Sequence, residues 1–304
     1  MALDLNPLLE NLQERVVQEK PLKLIYAKNT YHVFDRGTVE FNGAYGEWIG
    51  DQPLEGVQWD KELTSEDFKK LPDVFSCKLQ IIHDHVYYTI INKKVMKRAL
   101  QSPTEMAILV DRLTDSMKTK PVLYINQVLT EIISDPDNYR TVKEITTDEA
   151  TIDDMDKAIN ALKLIRKAST AMLEPDTEYN KGYQKPGSTV WNKVIANSES
   201  KKKQVLVIDP DFLEDIEIHF LSDVNDDSSI NPYKIFKEVI PKRMGAGMLA
   251  NIQDEKSLSY QVINEDGITT ETVFGSGNVK FGYHVTVVGG MIPFTPAWAL
   301  VVKE

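Results

Sequence analysis

The sequence predicts an α+β protein, in which long helical stretches and strand-rich stretches follow one another along the chain. Between residues 102 and 133, apolar side chains recur every three to four positions, the spacing of one helix face. Residues 78–91 are dominated by β-branched and aromatic side chains, which favour strands. Residues 280–287 alternate polar and apolar side chains, which predicts a strand with one buried face.

Composition argues against several classes of protein. The chain has 304 residues, a hydrophobic fraction of 42% and a formal net charge of -11. The hydrophobic fraction is ordinary for a globular protein, whereas the negative charge repels phosphates and argues against a reader of nucleic acid. The single cysteine, Cys77, excludes an internal disulfide and a cysteine-rich metal site, and we expect it to be a buried structural thiol.

The chain has the features of a soluble protein. Its first ten residues include Asp4 and Glu10 but no basic residue, unlike a secretory signal. No apolar run approaches the roughly 20 residues that span a bilayer. We therefore expect synthesis in the cytoplasm and no contact with a membrane.

Residues 4–19 have the pattern of an amphipathic helix that begins near Asn6-Pro7. Such a helix docks either on its own core or, as an arm, on a neighbouring molecule, and both alternatives stay open. Its apolar positions are Leu5, Leu8, Leu9, Leu12 and Val16.

Residues 22–75 alternate short apolar runs, such as Tyr31–Phe34, with turn signals, such as Asn42-Gly43. The pattern predicts a long hairpin punctuated by glycines, with little core of its own. Trp48 and Trp59 would be poorly buried in a monomer, so we expect a partner surface to cover them.

The middle of the chain is predicted to hold two helices. The first begins at the capping box Ser102-Pro103-Thr104-Glu105 and continues past Pro121 to residue 133, a length of roughly 48 Å. A proline inside a helix kinks it without necessarily ending it. The second helix runs from about Asp153 to Met172. Residues 136–151 are predicted to be turns, and residues 174–189 a loop.

The last hundred residues predict a small α/β module followed by strands. Gln204–Ile208 reads as a buried strand, and Asp209-Pro210 as the start of a helix. Further strands are expected near residues 235–240, 248–252, 260–263 and 269–274. Gly289-Gly290 is expected to end the strand over residues 281–287, and Ala297–Val302 to form the last strand.

Three segments match motifs of chemical function only weakly. Gly245–Ala250 fits a loose dinucleotide pattern, but it is followed by a predicted strand, so a bend between two strands is the better interpretation. Residues 223–227 resemble the start of a calcium loop but lack its glycine and its final glutamate. His83 and His85 share a strand face without further ligands at motif spacing. We therefore expect no cofactor, no metal and no enzymatic activity.

The order of these elements resembles the Hong Kong 97 fold of tailed-bacteriophage major capsid proteins. Val205–Ile208 with Asp209–Leu213 is similar to the strand and helix of the axial domain of that fold, and Phe236–Pro241 to its next strand. Gly247–Ile252 resembles the strand that passes back, and Phe281–Val287 with the last strand resembles the closing β-structure.

The resemblance implies a division of the chain into the parts of that fold, with the long helix as its spine. We expect an N-terminal arm (1–21), an extended loop (22–77), a peripheral domain with the spine helix (78–203), an axial domain (204–274) and closing β-strands (275–304).

The resemblance also implies a function. The chain would self-assemble through hexamers and pentamers into an icosahedral or prolate head shell, a part of the virion that encloses double-stranded DNA without sequence-specific contact. A separate scaffolding protein and a portal are implied as partners. The alternatives are an encapsulin-type nanocompartment shell, another phage structural protein (tail or decoration) and, on the glycine pattern alone, an enzyme. The candidate inter-subunit contacts are Tyr45, Trp48, Trp59, Leu5, Leu9 and Leu12.

Overall fold

The computed structural model describes residues 29–39, 47–51, 74–92, 103–185, 187–221, 231–245, 247–263, 268–272 and 278–303. The described residues form two compact units. The first contains those within 29–39, 80–129 and 260–289, and the second those within 47–79, 130–259 and 290–303.

The described strands are β1 (Asp35–Val39), β2 (Glu47–Asp51), β3 (Val74–Lys78), β4 (Gln80–Ile91), β5 (Thr141–Ile145), β6 (Tyr183–Gln184), β7 (Trp191–Asn192), β8 (Gln204–Ile208), β9 (Glu238–Pro241), β10 (Met248–Asp254), β11 (Leu258–Ile263), β12 (Ile268–Thr272), β13 (Val279–Met291) and β14 (Ala297–Val302). The described α-helices are α1 (Pro103–Ser134), α2 (Thr147–Ala150), α3 (Met155–Ala171), α4 (Pro210–Leu221) and α5 (Pro232–Ile235). Short 3₁₀ turns cover His32–Phe34, Pro136–Asn138 and Lys201–Lys203.

The first unit is built on a five-stranded sheet around β13. Its order is β1–β11–β13–β12, and β4 pairs antiparallel with β13 over residues 279–289. β1 runs parallel to β11. The apolar residues of β13 that alternate along the strand, such as Phe281 and Val285, are buried as the period of two predicted.

The second unit is built on a sheet with the order β5–β14–β10–β8–β9. All five residues of β8 are buried, as expected for an inner strand covered on both faces. The core of this unit joins the sheet to helices α3 and α4. Its fully buried members include Ala158, Ile165, Leu206, Ile208, Ile216, Ala250, Ile252 and Leu300.

The structure confirms the predicted helix α1 and the predicted starts of helices α3 and α4. Helix α1 passes through Pro121 without ending. Asp154 caps α3, since its carboxylate accepts a hydrogen bond from the backbone N–H of Lys157 at 2.8 Å. Asp209 caps α4 in the same way, at 3.0 Å from the N–H of Asp211.

A buried polar pair connects α3 to the sheet. The Ser169 hydroxyl donates to Oε1 of Gln204 at 2.5 Å, and Nε2 of Gln204 donates to the backbone carbonyl of Ser169 at 3.0 Å. Both side chains are fully buried, so each would cost free energy without its partner. The pair therefore specifies how α3 lies on β8.

Three local predictions were wrong. Thr141–Ile145, expected as turns, forms β5, which pairs parallel with β14; a polar strand of this kind suits a sheet edge, where few side chains are buried. Residues 235–237 were expected as strand, but Ile235 ends the short helix α5 and the strand begins only at Glu238. β13 continues through Gly289-Gly290 to Met291, because the φ of +157° at Gly290 is accessible to glycine.

The predicted extended loop requires a further correction. Tyr31 and Phe34, expected in a hairpin with little core, lie on a 3₁₀ turn and are fully buried in the first unit. Their spacing of three residues places both side chains on one side of such a turn. The hairpin prediction holds for β2 and β3, which pair antiparallel from Glu47 opposite Lys78 to Asp51 opposite Val74.

The predicted boundaries near the C-terminus also differ from the observed units. Residues 260–263 and 268–272, assigned to the axial domain, belong to the first unit. β14, assigned to separate closing strands, lies between β5 and β10 in the second unit. The helix over residues 4–19, the loop over residues 223–227, the turn at residues 265–267 and the cap at Ser102 lie outside the described residues.

Gly182→Ala should destabilise the second unit more than Gly187→Ala. Both glycines have a φ near +80°, which costs an alanine about 1 kcal/mol. At Gly182 a Cβ would lie 1.8 Å from the carbonyl oxygen of Asn192, whereas at Gly187 it would meet no described atom within 4 Å. We expect a loss of about 3 kcal/mol in the first variant and about 1 kcal/mol in the second. Urea unfolding of the unassembled subunit measures both, and equal losses would contradict this account.

Candidate functional site

An exposed apolar surface lies on β4, which is an edge strand among the described strands of the first unit. Val86, Tyr88 and Ile90 occupy one face of the strand, and each is more than half exposed. Because side chains alternate along a strand, these three point to the same side. Ile81, 54% exposed, extends the row beyond Asp84. We call this row the outer face of β4.

A β-bulge explains why Ile81 is exposed although its odd number would assign it to the other side. Val287 pairs with His83 and Val288 pairs with Ile81, so Ile82 is an extra residue in β4. An extra residue reverses the alternation beyond it. Regular pairing therefore begins at His83.

Polar groups on the outer face are paired with one another. Oδ1 of Asp84 lies 2.5 Å from Nε2 of His284 and accepts a hydrogen bond from the Thr286 hydroxyl at 3.1 Å. These two hydrogen bonds lower the pKa of the Asp84 carboxyl, so it is ionised at neutral pH. Next to this group, Nζ of Lys280 lies 4.6 Å from the ring centroid of Tyr88, a cation–π contact.

The inner face of β4 buries a histidine. His83 is 2% exposed, and its Nε2 lies 2.9 Å from the Tyr87 hydroxyl. Its ring stacks on His85, with centroids 4.4 Å apart, and packs against Tyr124 of α1 at 4.6 Å. Burial, and then repulsion from His85, lower the pKa of His83 to about 4. The buried ring is therefore neutral at physiological pH.

The two stacked histidines are unsuited to hold a metal ion between them. Their planes differ by 3°, and the nitrogen lone pairs lie in those planes, so they do not converge on one point. Within the described part of the chain, no group of three or more histidine, cysteine or acidic residues could hold a metal ion. The interpretation of His83 and His85 as residues of a strand face agrees with this geometry.

The glycine pattern near residue 247 forms a bend and not a nucleotide site. Gly247 has a φ of +65°, and its carbonyl oxygen accepts a hydrogen bond from the N–H of Val302 at 2.9 Å. Met248 then begins β10, where a dinucleotide site requires a helix.

No described helix is long and apolar enough to cross a bilayer.

A second group of exposed apolar side chains lies beside the β6–β7 pair in the second unit. Val190, Trp191 and Ile195 are between 38% and 66% exposed. Nζ of Lys181 lies 4.9 Å from the Trp191 ring centroid, which covers part of that ring. This group has three exposed apolar residues, whereas the outer face of β4 has four that follow one side of a single strand.

The residues predicted as inter-subunit contacts fall largely outside the described part of the chain. Trp48 has a described backbone in β2, opposite Cys77, but its side chain is not described. The thiol of Cys77 is half-buried, and burial raises its pKa. Outside the described residues lie Tyr45, Trp59, Leu5, Leu9 and Leu12.

The outer face of β4 is not among the contact residues predicted from the sequence, although the composition of the strand is unusual. Residues 80–91 are apolar on both sides of the strand, and Asp84 is their only acidic or basic residue apart from two histidines. Such a strand normally indicates burial on both faces. This pattern would have indicated a contact surface only if the position of β4 at the edge of the described sheet had been known.

Comparison with known proteins identifies the family. A model of the Phi29-like phage major capsid protein matches residues 3–301. The chain belongs to this family. It is a major capsid protein, a structural subunit of the phage head shell and a component of the virion. None of the curated proteins matches its sequence.

Solved structures of phage particles share the fold of this capsid protein. A chain in the structure of the head fiber and inner core protein gp22 of native bacteriophage P68 has a TM-score of 0.65 and 11% identity, covering 93% of this chain and 87% of that chain. The capsid structure of Staphylococcus phage Andhra gives 0.60 and 12%, covering 94% and 87%. The capsid structure of the cyanophage P-SCSP1u gives 0.58 and 8%, covering 94% and 92%. The predicted Hong Kong 97 fold is confirmed.

The buried His83 should make the capsid subunit less stable in acid. Its pKa is about 4 when folded and about 6.5 when unfolded, so the unfolded chain binds the proton more tightly. The contribution of His83 to the unfolding free energy is therefore complete above pH 6.5 and is lost as the pH falls to about 4, a change of about 3 kcal/mol.

Denaturant unfolding of unassembled His83→Gln and unsubstituted subunits between pH 7.5 and pH 4 measures this dependence. The variant should lose less stability on acidification than the unsubstituted chain, while the values at pH 7.5 report the cost of the changed packing. Identical slopes for the two proteins would show that His83 does not titrate as its burial implies.

Proposed function

We propose that this capsid protein assembles through hexamers and pentamers into a closed icosahedral or prolate shell that encloses double-stranded DNA. The observation that carries the proposal is the outer face of β4, where four large apolar side chains are each more than half exposed. A monomer leaves the apolar surface of this row exposed to water, whereas a neighbouring molecule can bury it. Membership of a major capsid protein family supplies the partner, which is another copy of the chain.

We further propose that the packaged DNA makes no sequence-specific contact with the shell. The net charge of -11 supports this proposal, since an acidic wall attracts phosphates weakly. Packaged DNA must also leave the shell again. A separate scaffolding protein would set the curvature during assembly, and a portal would occupy one vertex.

The contacts between subunits are proposed to include the N-terminal arm, residues 1–21, and the loop that contains β2 and β3. In the arm, Leu5, Leu9 and Leu12 would dock on a neighbour through one helix face. In the loop, Tyr45, Trp48 and Trp59 would supply aromatic contacts, the residue types that dominate interface energies. The division into a peripheral domain (78–203) and an axial domain (204–274) remains a proposal.

The proposal is tested by electron microscopy of the purified protein, expressed alone and together with the scaffolding protein of its phage. Closed shells or sheets of hexamers would support it. A uniform monomer or dimer under both conditions would overturn it. Co-expression is needed because a shell subunit without its scaffold can form misshapen particles.

Replacing both Trp48 and Trp59 by alanine should prevent shell formation while the subunit still folds. Removing one central aromatic contact from an interface costs about 2–4 kcal/mol. Each lost tryptophan should therefore weaken the association constant of the contact by at least about thirtyfold. The double change to phenylalanine is the matched control, because it keeps an apolar ring at each position. Circular dichroism checks folding, and sedimentation measures the assembled fraction. Normal shell yield from the alanine variant would contradict these contacts.

A further inference from the structure

The second edge of β4 is open within the described part of the chain. β4 pairs with β13 on one side, and no described strand pairs with it on the other. An open strand edge presents a row of unpaired N–H and C=O groups. Proteins usually protect such an edge with charges, prolines or bulges. Here the bulge lies at Ile82, and the following residues up to Ile91 contain no proline and no lysine; Asp84 is their one carboxylate.

The side chains along this edge suit a strand of the same sequence. From His83 to Thr89 the strand is regular, and Val86 is its central residue. On the outer face, Asp84 lies two residues before Val86 and Tyr88 lies two residues after it. An antiparallel second copy centred on Val86 would therefore set each Asp84 opposite a Tyr88.

We propose that β4 pairs with β4 of a second capsid subunit, antiparallel across a two-fold axis at Val86. The inference rests on the proposed shell function and names one contact within it. The contact is isologous, because each strand offers the other the same edge. It would join the two sheets of neighbouring subunits into one.

Charge complementarity selects this register. Asp84 of each copy would keep its hydrogen bonds to His284 and Thr286 of its own subunit, and its negative charge would lie on the strand beside the Tyr88 ring of the other copy, over which Nζ of Lys280 sits. Centring the axis on His85 would set Asp84 opposite Val86, and centring it on Tyr87 would set it opposite Ile90. Both shifts leave the carboxylate facing an aliphatic side chain, which costs free energy when the contact excludes water.

The remaining pairs agree with the same register. On the inner face, His85 would lie opposite Tyr87 of the second copy, and His83 opposite Thr89. Ile81 and Ile90, at the two ends of the outer face, are both more than half exposed and would flank the paired segment. The bulge at Ile82 ends the regular edge and so limits the length of the pairing.

Cysteine cross-linking in assembled shells tests the two-fold axis. In a Cys77→Ser background, Val86→Cys places two thiols opposite each other, where cross-strand Cβ atoms are about 5 Å apart and a disulfide can form with a small shift. Mild oxidation should give mostly disulfide dimers. Ile90→Cys in the same background is the matched control: in this register it lies about 27 Å from its own copy and should give at least tenfold less dimer.

A charge variant keeps the test informative if the cysteine variants fold poorly. Val86→Lys would bring two ammonium groups together at the axis, whereas Val86→Thr keeps a branched, neutral side chain there. Since Val86 is 57% exposed, both variants should fold as subunits. We expect shells from the threonine variant and at least tenfold fewer from the lysine variant.

The outcomes separate this inference from the proposed function. Shells in which Val86→Cys gives no more dimer than Ile90→Cys would overturn the two-fold pairing and leave the shell function intact. Shells lost from Val86→Lys without a Val86→Cys cross-link would mean that another segment or protein covers the edge, which also overturns the pairing. If the unsubstituted protein forms no shells with its scaffold, the proposed function and this inference fail together.

Discussion

The antiparallel pairing of β4 with β13 is the constraint on which the features of the first unit depend. It holds β4 in one register from Ile91 to His83, and the bulge at Ile82 then shifts that register by one residue. One face of the strand is thereby directed toward α1, where it buries His83 against Tyr124. The other face is left exposed to solvent, although its side chains are mostly apolar. A slip of one residue would exchange the two faces and place Val86 inside.

Shell formation and solubility place opposite demands on this surface. Exposed apolar side chains on an open strand edge favour association, including association in the wrong geometry. The chain has a net charge of -11, which keeps free subunits apart at long range, while Lys280 and Asp84 offer a specific short-range match on the same face. In the proposed pairing, such a surface would associate strongly only in one orientation. This combination suits a subunit that must stay soluble until its neighbours are correctly placed.

Elements with strong local signals were predicted well. Helix α1 continues past Pro121, as the apolar spacing in the sequence on both sides of the proline predicted. The carboxylates of Asp154 and Asp209 cap their helices, as their positions in the sequence predicted. Elements that are stabilised by partners far away in the sequence were not predicted. β5 is polar and pairs with β14, which is distant in sequence, and the Tyr31 and Phe34 side chains are buried within a unit that also contains residues 80–129 and 260–289. Short-range patterns contain no information about such partners.

By itself, the sequence determined the α+β class, the positions of most of the described helices and strands, and the likeness to a capsid fold. These follow from periodicity, capping residues and element order, which act over short distances. Only the tertiary structure decided that β4 lies at an edge of the described sheet, that β14 lies between β5 and β10, and that the chain forms two units from interleaved segments. Strand order joins residues that are far apart in sequence, such as Asp84 and His284, and the free energy of that pairing appears only when the chain has folded.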